Sequence, residues 1–594
     1  MGAKPVRQVR KVNVLGAEAI FDRRADGTMY VRSPRPLGPY PEKLTERLEH
    51  WAEEAPDRVF LAQRASTGAW RTVTYAETMR GVRSIAQALI DRGLNAGRPV
   101  AILSGNGIEH ALIALASMYA GVVYAPIAPS YSLASTELTT LRYLWRQLEP
   151  ALVFAADGAA FERPLRGVLD SRTELVTVTP PGALAATPFE EFASSSPSDA
   201  VDDAHSRVNA DTVAKILFTS GSTGRPKGVV TTQRMLCSNQ EMMRTVLAFL
   251  ADEPPVLCDW LPWNHTFGGS HNFGAVLYNG GTLYIDEGKP TASGFGATAG
   301  NLREIATTAY FNVPKGYEML VPVLRADAAF RRHFFSRLQI LFYAAAGLKQ
   351  EVWDDLQELA VDACGEEILM MTGLGATETA PLALATGVEG AASGRVGLPA
   401  PGVELKVAPV EAKFEARLRG PNITPGFWRN PQLTEASFDE EGFYKLGDAL
   451  LMADPQDPLK GFLFDGRIAE DFKLSTGTWV SVGPLRAKFL SWFDGVAQDA
   501  VFAAPDRDYV SALVFPLPGA TAGQVRELLE GFARQATGIS SRVQRAMLLE
   551  EPPSMDAGEF TEKGTINQKA VLRNRAHLVE ELYAGSPRVI EIAL

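Results

Sequence analysis

The run Ile216-Leu-Phe-Thr-Ser-Gly-Ser-Thr-Gly-Arg-Pro-Lys-Gly-Val-Val230 passes abruptly from apolar residues into a loop of Gly, Ser, Thr and Lys. These residue types grip phosphate. Gly221, Gly224 and Gly228 let backbone N–H groups approach a polyphosphate, the hydroxyls of Thr219, Ser220, Ser222 and Thr223 add donors, and Lys227 adds a mobile cation. The loop points to a nucleotide. A Walker A loop would need Ser or Thr directly after its lysine to hold magnesium, and Lys227 is followed by Gly228.

Two further clusters carry chemistry. Gly373-Leu-Gly-Ala-Thr-Glu-Thr379 sets a carboxylate and two hydroxyls in a glycine-rich turn, suited to magnesium at Glu378 and a phosphoryl oxygen at Thr377. Tyr444-Lys-Leu-Gly-Asp448 and Gly466-Arg467 supply an acid able to take both ribose hydroxyls and a cation for the sugar or α-phosphate.

Layered α/β structure is expected to position these groups. Thr74-Tyr-Ala-Glu77 is a capping box, followed at helical spacing by Met79, Val82, Ala86, Leu89 and Ile90, with Gly93 as the stop. Short β-rich runs at Val100–Leu103, Ala214–Phe218, Gly281–Ile285 and Leu338–Tyr343 alternate with helical stretches, which favours a substantially parallel sheet. The polar run Pro180–Ala210 reads as a linker or long surface loop. Charged, amphipathic sequence resumes after Asp465, which puts the main boundary near Arg467, between residues 1–465 and a small domain at 470–594.

Composition narrows the class. With 594 residues and 46% hydrophobic content the chain can bury several cores, about three to five units at roughly 100–200 residues each. A net charge of −11 argues against a nucleic-acid surface. Cys237, Cys258 and Cys364 have no metal-ligand spacing and read as buried thiols. The basic N-terminus lacks an apolar h-region, so a cytoplasmic location is the default. Ala111–Pro129 is the most apolar segment, but Pro126 and Pro129 suit a buried helix running into a strand better than a membrane span.

In their order along the chain, the phosphate loop, the G-x-T-E turn, the L-G-D turn and the G-R pair resemble the adenylate-forming superfamily of acyl-CoA synthetases, adenylation domains and luciferases, over roughly residues 40–575. The runs Leu261–Phe273, Glu470–Val480 and Phe560–Gln568 look like bacterial feruloyl-CoA synthases in particular. The resemblance implies a large N-terminal domain of layered α/β subdomains and a small mobile C-terminal α+β domain. It implies adenylation of a carboxylic acid by ATP-Mg2+ with release of pyrophosphate, then transfer of the acyl group to coenzyme A. The implied partners are these small molecules, with no nucleic acid and no membrane span; a homodimer stays open.

Site residues carry over by position. The resemblance implies that Thr219, Ser220, Gly221, Ser222, Thr223, Gly224 and Lys227 hold the phosphates. Ala345, Ala346, Gly373 and Gly375 would wall the nucleotide, and Asp448, Arg467 and Lys473 would complete the cofactor set. Glu378 and Thr219 would take magnesium, Thr377, Glu378, His265 and Lys563 would be catalytic, and His265, Phe267, Phe273 and Gly373 would border the acid. His271 reads as a structural histidine. Aromatic Trp263, Tyr310 and Phe311 could line an acid pocket or belong to the core.

Three departures from the family pattern stand out. Leu374 replaces the aromatic residue that stacks on adenine, so that contact becomes apolar packing. Ala469 stands at the hinge position usually held by Asp or Lys. Thr565 occupies the register of the late lysine; Lys563 is the substitute, with Lys569 second. The family's rotation of the small domain would bring Lys563 to the site in the first half-reaction and withdraw it in the second. A hydroxycinnamate such as ferulate is the first acid, a medium- or long-chain fatty acid the second. A non-catalytic ATP or acyl-adenylate sensor is the reading from another class, and a P-loop phosphotransferase a third.

Overall fold

The computed structural model describes residues 8–220, 225–388, 392–503, 507–560 and 566–592. Strands Val213–Ser220 and Pro226–Thr232 form an antiparallel hairpin at one edge of a seven-stranded sheet. The other five strands, Tyr124–Pro126, Val100–Ile102, Leu152–Asp157, Glu174–Thr179 and Thr187–Pro188, run parallel to Val213–Ser220. The phosphate loop is therefore the tip of a hairpin whose base is anchored in a parallel sheet.

Helices cover this sheet as the apolar periodicity requires. Thr74 caps helix Tyr75–Asp91: its hydroxyl accepts from Glu77 N at 3.2 Å while Glu77 Oε2 accepts from Thr74 N at 2.8 Å. Val82, Ala86 and Leu89 on the inner face are fully buried. The apolar segment after residue 108 is a buried helix, Ile108–Ala120, that runs through Gly121 into strand Tyr124–Pro126. No helix among the described residues is long and apolar enough to cross a membrane.

The 180–210 segment differs from its expected linker character. It contributes strand Thr187–Pro188 and a helix, Asp199–Arg207, capped by Ser198. Val201 and His205, four apart, share its buried face. The His205 ring stacks on Tyr119 at 3.7 Å, and Arg83 pairs with Asp202. Small polar residues dominate the composition, yet Phe189 and Phe192 of the short helix Phe189–Phe192, with Val201 and His205, are buried and dock the segment.

An eleven-stranded sheet carries Gly373, Gly375, Asp448 and Arg467, with Glu378 in the turn between two of its strands. Strands Ala309–Asn312, Ile340–Tyr343 and Leu369–Gly375 are parallel; from Leu382–Ala385 onward, through Arg395–Pro399, Phe462–Arg467 and Tyr444–Met452, the pairing is antiparallel. Cys237 and Cys258 are buried and Cys364 partly so, all as free thiols.

The smaller C-terminal domain has its own sheet of Ala497–Ala503, Val510–Pro516, Val543–Leu548 and Val589–Glu591, with separate apolar clusters on its two faces. Helices Val482–Trp492 and Ala522–Arg534 cover one face; Val571 and Leu582, from helices Gln568–Asn574 and Ala576–Ala584, cover the other. Below the second face Arg575 donates through Nε and Nη2 to both oxygens of Glu559, at 3.1 and 2.7 Å, and both side chains are almost fully buried. Burial opposes the Glu559 charge, but Arg575 outweighs it and holds the carboxyl below its ordinary range. Replacing Glu559 with Ala strands a buried guanidinium, and the expected loss is about 3–5 kcal/mol. Denaturant unfolding of the C-terminal domain measures it; a loss below about 1 kcal/mol would show that the pair does not hold the domain together.

Candidate active site

The hairpin register pairs Thr219 with Lys227 across the base of the phosphate loop. Gly221, Ser222, Thr223 and Gly224 lie outside the described residues, as does the Ser220 side chain. Thr219 Oγ1 is buried and has no hydrogen-bond partner among the described residues. Lys227 Nζ lies 2.8 Å from Glu378 Oε1 and 4.4 Å from the centre of the Phe427 ring.

Glu378 arrives from the other large sheet. Strand Leu369–Gly375 ends in a 3₁₀ turn, Thr377–Thr379, before the chain reverses into Leu382–Ala385. The reversal is so close that a Cβ on Gly375 would fall 1.9 Å from the Pro381 carbonyl oxygen. Thr379 Oγ1 accepts from Ala376 N at 2.8 Å, Thr424 N donates to Glu378 O at 2.8 Å, and the amides of Asn239 and Asn422 donate to Leu382 O at 2.7 and 3.0 Å. Thr377 and Glu378 are both buried by this bracing.

Burial works against ionisation of Glu378, and Lys227 overcomes it, leaving the carboxyl below its ordinary value. Tyr444 borders the same carboxylate; burial and then the Glu378 charge push its hydroxyl up. Asp448 stands past an irregularity in the same strand, near enough for its charge to reach the Tyr444 hydroxyl, and is the Cα partner of Arg467. Burial pushes its carboxyl up to about 6, opposed by Arg467 and reinforced by Glu378. Arg467 Nε lies 3.7 Å from Asp448 Oδ1. Lys227, Glu378, Tyr444, Asp448 and Arg467 thus form one charged cluster drawn from four distant segments.

The remaining candidates divide. Ala345 and Ala346 are exposed just beyond strand Ile340–Tyr343, whose neighbour in register carries Gly373. His265 ends the loop before a π-helical turn, Phe267–Asn272; its Nδ1 accepts from Phe267 N at 3.3 Å. Phe267 meets His271 and Phe342, whereas Phe273 packs between Phe60 and Trp263 in the main core. Tyr310 faces Tyr317 and Phe334 in another cluster, away from Phe311. Lys473 lies over the Trp479 ring at 4.8 Å, in a two-stranded ribbon. Lys563 and Thr565 lie outside the described residues; Lys569 is exposed on helix Gln568–Asn574.

Sequence reasoning passed over Tyr444, whose place beside Glu378 depends on contacts distant in the chain. His271, read from the sequence as structural, is 2% exposed. In the fold His271 is enclosed by Phe267, Phe311 and Phe342 at 5.2, 5.0 and 5.6 Å between centroids, its Nδ1 paired with Asn272 Oδ1 at 2.8 Å. Burial keeps the imidazole neutral, its pKa lowered to about 4.

These donors fit a nucleotide with magnesium. The buried Glu378 carboxylate and the unpartnered Thr219 hydroxyl are hard oxygen ligands. No group of three His, Cys, Asp or Glu side chains among the described residues could hold an ion by itself. One carboxylate plus phosphate oxygens is the usual way magnesium is held beside a nucleotide.

Residues 48–428 match the family described as AMP-binding enzyme. The chain belongs to that family. It is thereby placed in the adenylate-forming superfamily of adenylating enzymes and acid–CoA ligases, which use ATP, Mg2+ and coenzyme A. It is similar to a 4-coumarate–CoA ligase-like protein of Oryza sativa subsp. japonica, 26% identical over 84% of this chain and 89% of that protein. It is also similar to a methyl-dioxo-octahydroindenyl propanoyl:CoA ligase of Rhodococcus jostii, 26% identical over 76% of this chain and 85% of that one. The fold matches an anthranilate CoA ligase in complex with anthranoyl-AMP, with TM-score 0.72 and 18% identity over 92% of this chain and 99% of that one.

The raised Asp448 carboxyl yields a signed prediction. Its folded pKa of about 6 exceeds the ordinary 3.8, so its contribution to stability is complete below pH about 4 and is lost as pH rises through 6. Asp448→Asn removes that penalty and is expected to raise stability at pH 7.5 by about 1–2 kcal/mol, with no gain near pH 4. Thermal unfolding across this range measures it; a loss of stability at pH 7.5 would contradict the assignment.

Proposed function

We propose that this chain is an AMP-forming acid–CoA ligase for an aromatic carboxylic acid, with a hydroxycinnamate such as ferulate as the first substrate. The observation that carries the chemistry is the Lys227 contact at 2.8 Å to the buried Glu378 carboxylate, continuous with Tyr444, Asp448 and Arg467. It supplies cation and carboxylate at one end for a triphosphate with its metal, and an acid at the other for a ribose.

In the first half-reaction a carboxylate oxygen of the acid attacks the α-phosphorus, and the bond to the bridging oxygen of pyrophosphate breaks. Lys227 with the loop donors would hold the β- and γ-phosphates, where charge accumulates as pyrophosphate departs. A bound Mg2+, held at Glu378 with Thr219 nearby, would supply charge neutralisation there. Thr377 would orient a phosphoryl oxygen, Asp448 would accept from the ribose hydroxyls, and Arg467 would stand beside them. In the second half-reaction the coenzyme A thiolate attacks the acyl carbon and AMP leaves.

The aromatic preference is supported by His271 within Phe267, Phe311 and Phe342. Phe311 and Phe342 are register partners near the carboxyl ends of two parallel strands, beside the one that leads to Glu378. Ligands of parallel sheets gather at that edge. We place the hinge at 466–469 and the mobile domain at 470–594. Lys413 spans this linkage, 3.4 Å from Asp465 and 2.6 Å from Asp471. We assign Lys563 to the adenylation step.

A coupled assay for AMP release with ATP, Mg2+ and coenzyme A is expected to give highest kcat/KM with hydroxycinnamates among cinnamates, benzoates and fatty acids. Preference for a fatty acid would overturn the aromatic reading, absence of AMP with every acid would leave a non-catalytic binder, and ADP would indicate phosphotransfer. Lys563→Ala is expected to abolish pyrophosphate release, a loss of about a hundredfold or more, while sparing thioester formation from supplied acyl-AMP. Survival of both steps would remove Lys563 from the mechanism.

A further inference from the structure

Lys215 is 2% exposed, and no carboxylate among the described residues pairs with it. It stands on strand Val213–Ser220, between Tyr124 and Thr231 on the neighbouring strands, with His110 the titratable group that feels its charge. Its ammonium donates to the Gly269 carbonyl at 2.8 Å. One residue further on, Gln240 from helix Gln233–Val246 donates through Nε2 to the Ser270 carbonyl at 2.8 Å.

Those two carbonyls belong to the π-helical turn Phe267–Asn272. A π-turn interrupts the regular i to i−4 ladder and loosens its carbonyls, so it persists where outside donors and packing define it. Packing defines the other side: a Cβ on Gly268 would fall 2.2 Å from Leu261 O, and one on Gly269 2.2 Å from Trp263 O. The turn is clamped between the 261–263 loop and two side-chain donors. Phe267 and His271 project from it.

We infer that Lys215 is a positioning residue for acid recognition, fixing through the Gly269 carbonyl the π-turn that presents Phe267 and His271. The inference rests on reading this turn as the acid-binding edge. The same strand face carries Thr219 four residues later, so one rigid element sets both the phosphate loop and the acid-facing turn. Burial without a carboxylate lowers the amine to about 7. Gln240 acts on the next carbonyl in the same way.

The test compares Lys215→Met and Gln240→Leu with the unaltered chain by acid-dependent ATP–pyrophosphate exchange and thermal melting. Methionine keeps the volume and removes the isolated buried charge, so melting at or above the original temperature is expected. The KM for the acid should rise about tenfold or more while the KM for ATP stays within about twofold. Gln240→Leu should reproduce the acid-specific change with the lysine intact. Unchanged acid KM in both variants, an equal rise in the KM for ATP, or a Lys215→Met chain that melts lower or fails to fold would overturn the inference. Absence of acid-dependent exchange in the unaltered chain would instead overturn the ligase reading.

Discussion

The site depends on keeping the Glu378 carboxylate ionised where almost no water reaches it. An isolated charge there would be neutralised by protonation. Lys227 prevents that, and in doing so ties the tip of the hairpin in one sheet to the reversal after Leu369–Gly375 in another. The loop cation and the turn carboxylate define each other's position. In the proposed ligase, a nucleotide with its metal offers both groups new partners at once, phosphate for the lysine and Mg2+ for the carboxylate. Neither buried charge is stranded during the exchange.

Topology explains why this contact forms where it does. The eleven-stranded sheet changes from parallel to antiparallel pairing between Leu369–Gly375 and Leu382–Ala385. The chain reverses at that change, and Glu378 sits in the reversal, just past the carboxyl end of the last parallel strand. The parallel strands carry Phe311 and Phe342 as register partners, and the antiparallel ones carry Tyr444, Asp448 and Arg467. Asn239, Asn422 and Thr424 then pin the backbone of the turn between them.

Features contiguous in the chain were legible before the fold was seen. The Thr74–Glu77 capping box, the buried helix after residue 108 and the hairpin loop are set by neighbours within a few residues. The 180–210 segment differs from its linker reading because its composition is polar, while docking rests on a few inward side chains, Phe189, Phe192, Val201 and His205 among them. Contacts across sequence distance stayed hidden: Tyr444 against Glu378, Lys215 under Gly269, Lys413 between Asp465 and Asp471. Local residue order carries no record of which strands become neighbours. Aromatic residues show the limit most plainly, since adjacent Tyr310 and Phe311 face different clusters and only the strand's orientation decides which is which.

The two ion pairs of the cluster differ in strength, and the difference follows the chain. Lys227–Glu378 is close and its carboxylate is 8% exposed, whereas Arg467–Asp448 is separated by 3.7 Å with the arginine 66% exposed. An exposed pair at that distance contributes little rigidity. Arg467 is also the last residue of its strand, immediately before the short turn Ile468–Glu470 that leads into the small domain. In the proposed ligase the phosphate end of the nucleotide is therefore gripped by groups fixed in two sheets, and the sugar end lies against the linkage. Motion of the small domain would begin beside the ribose and leave the Lys227–Glu378 contact undisturbed.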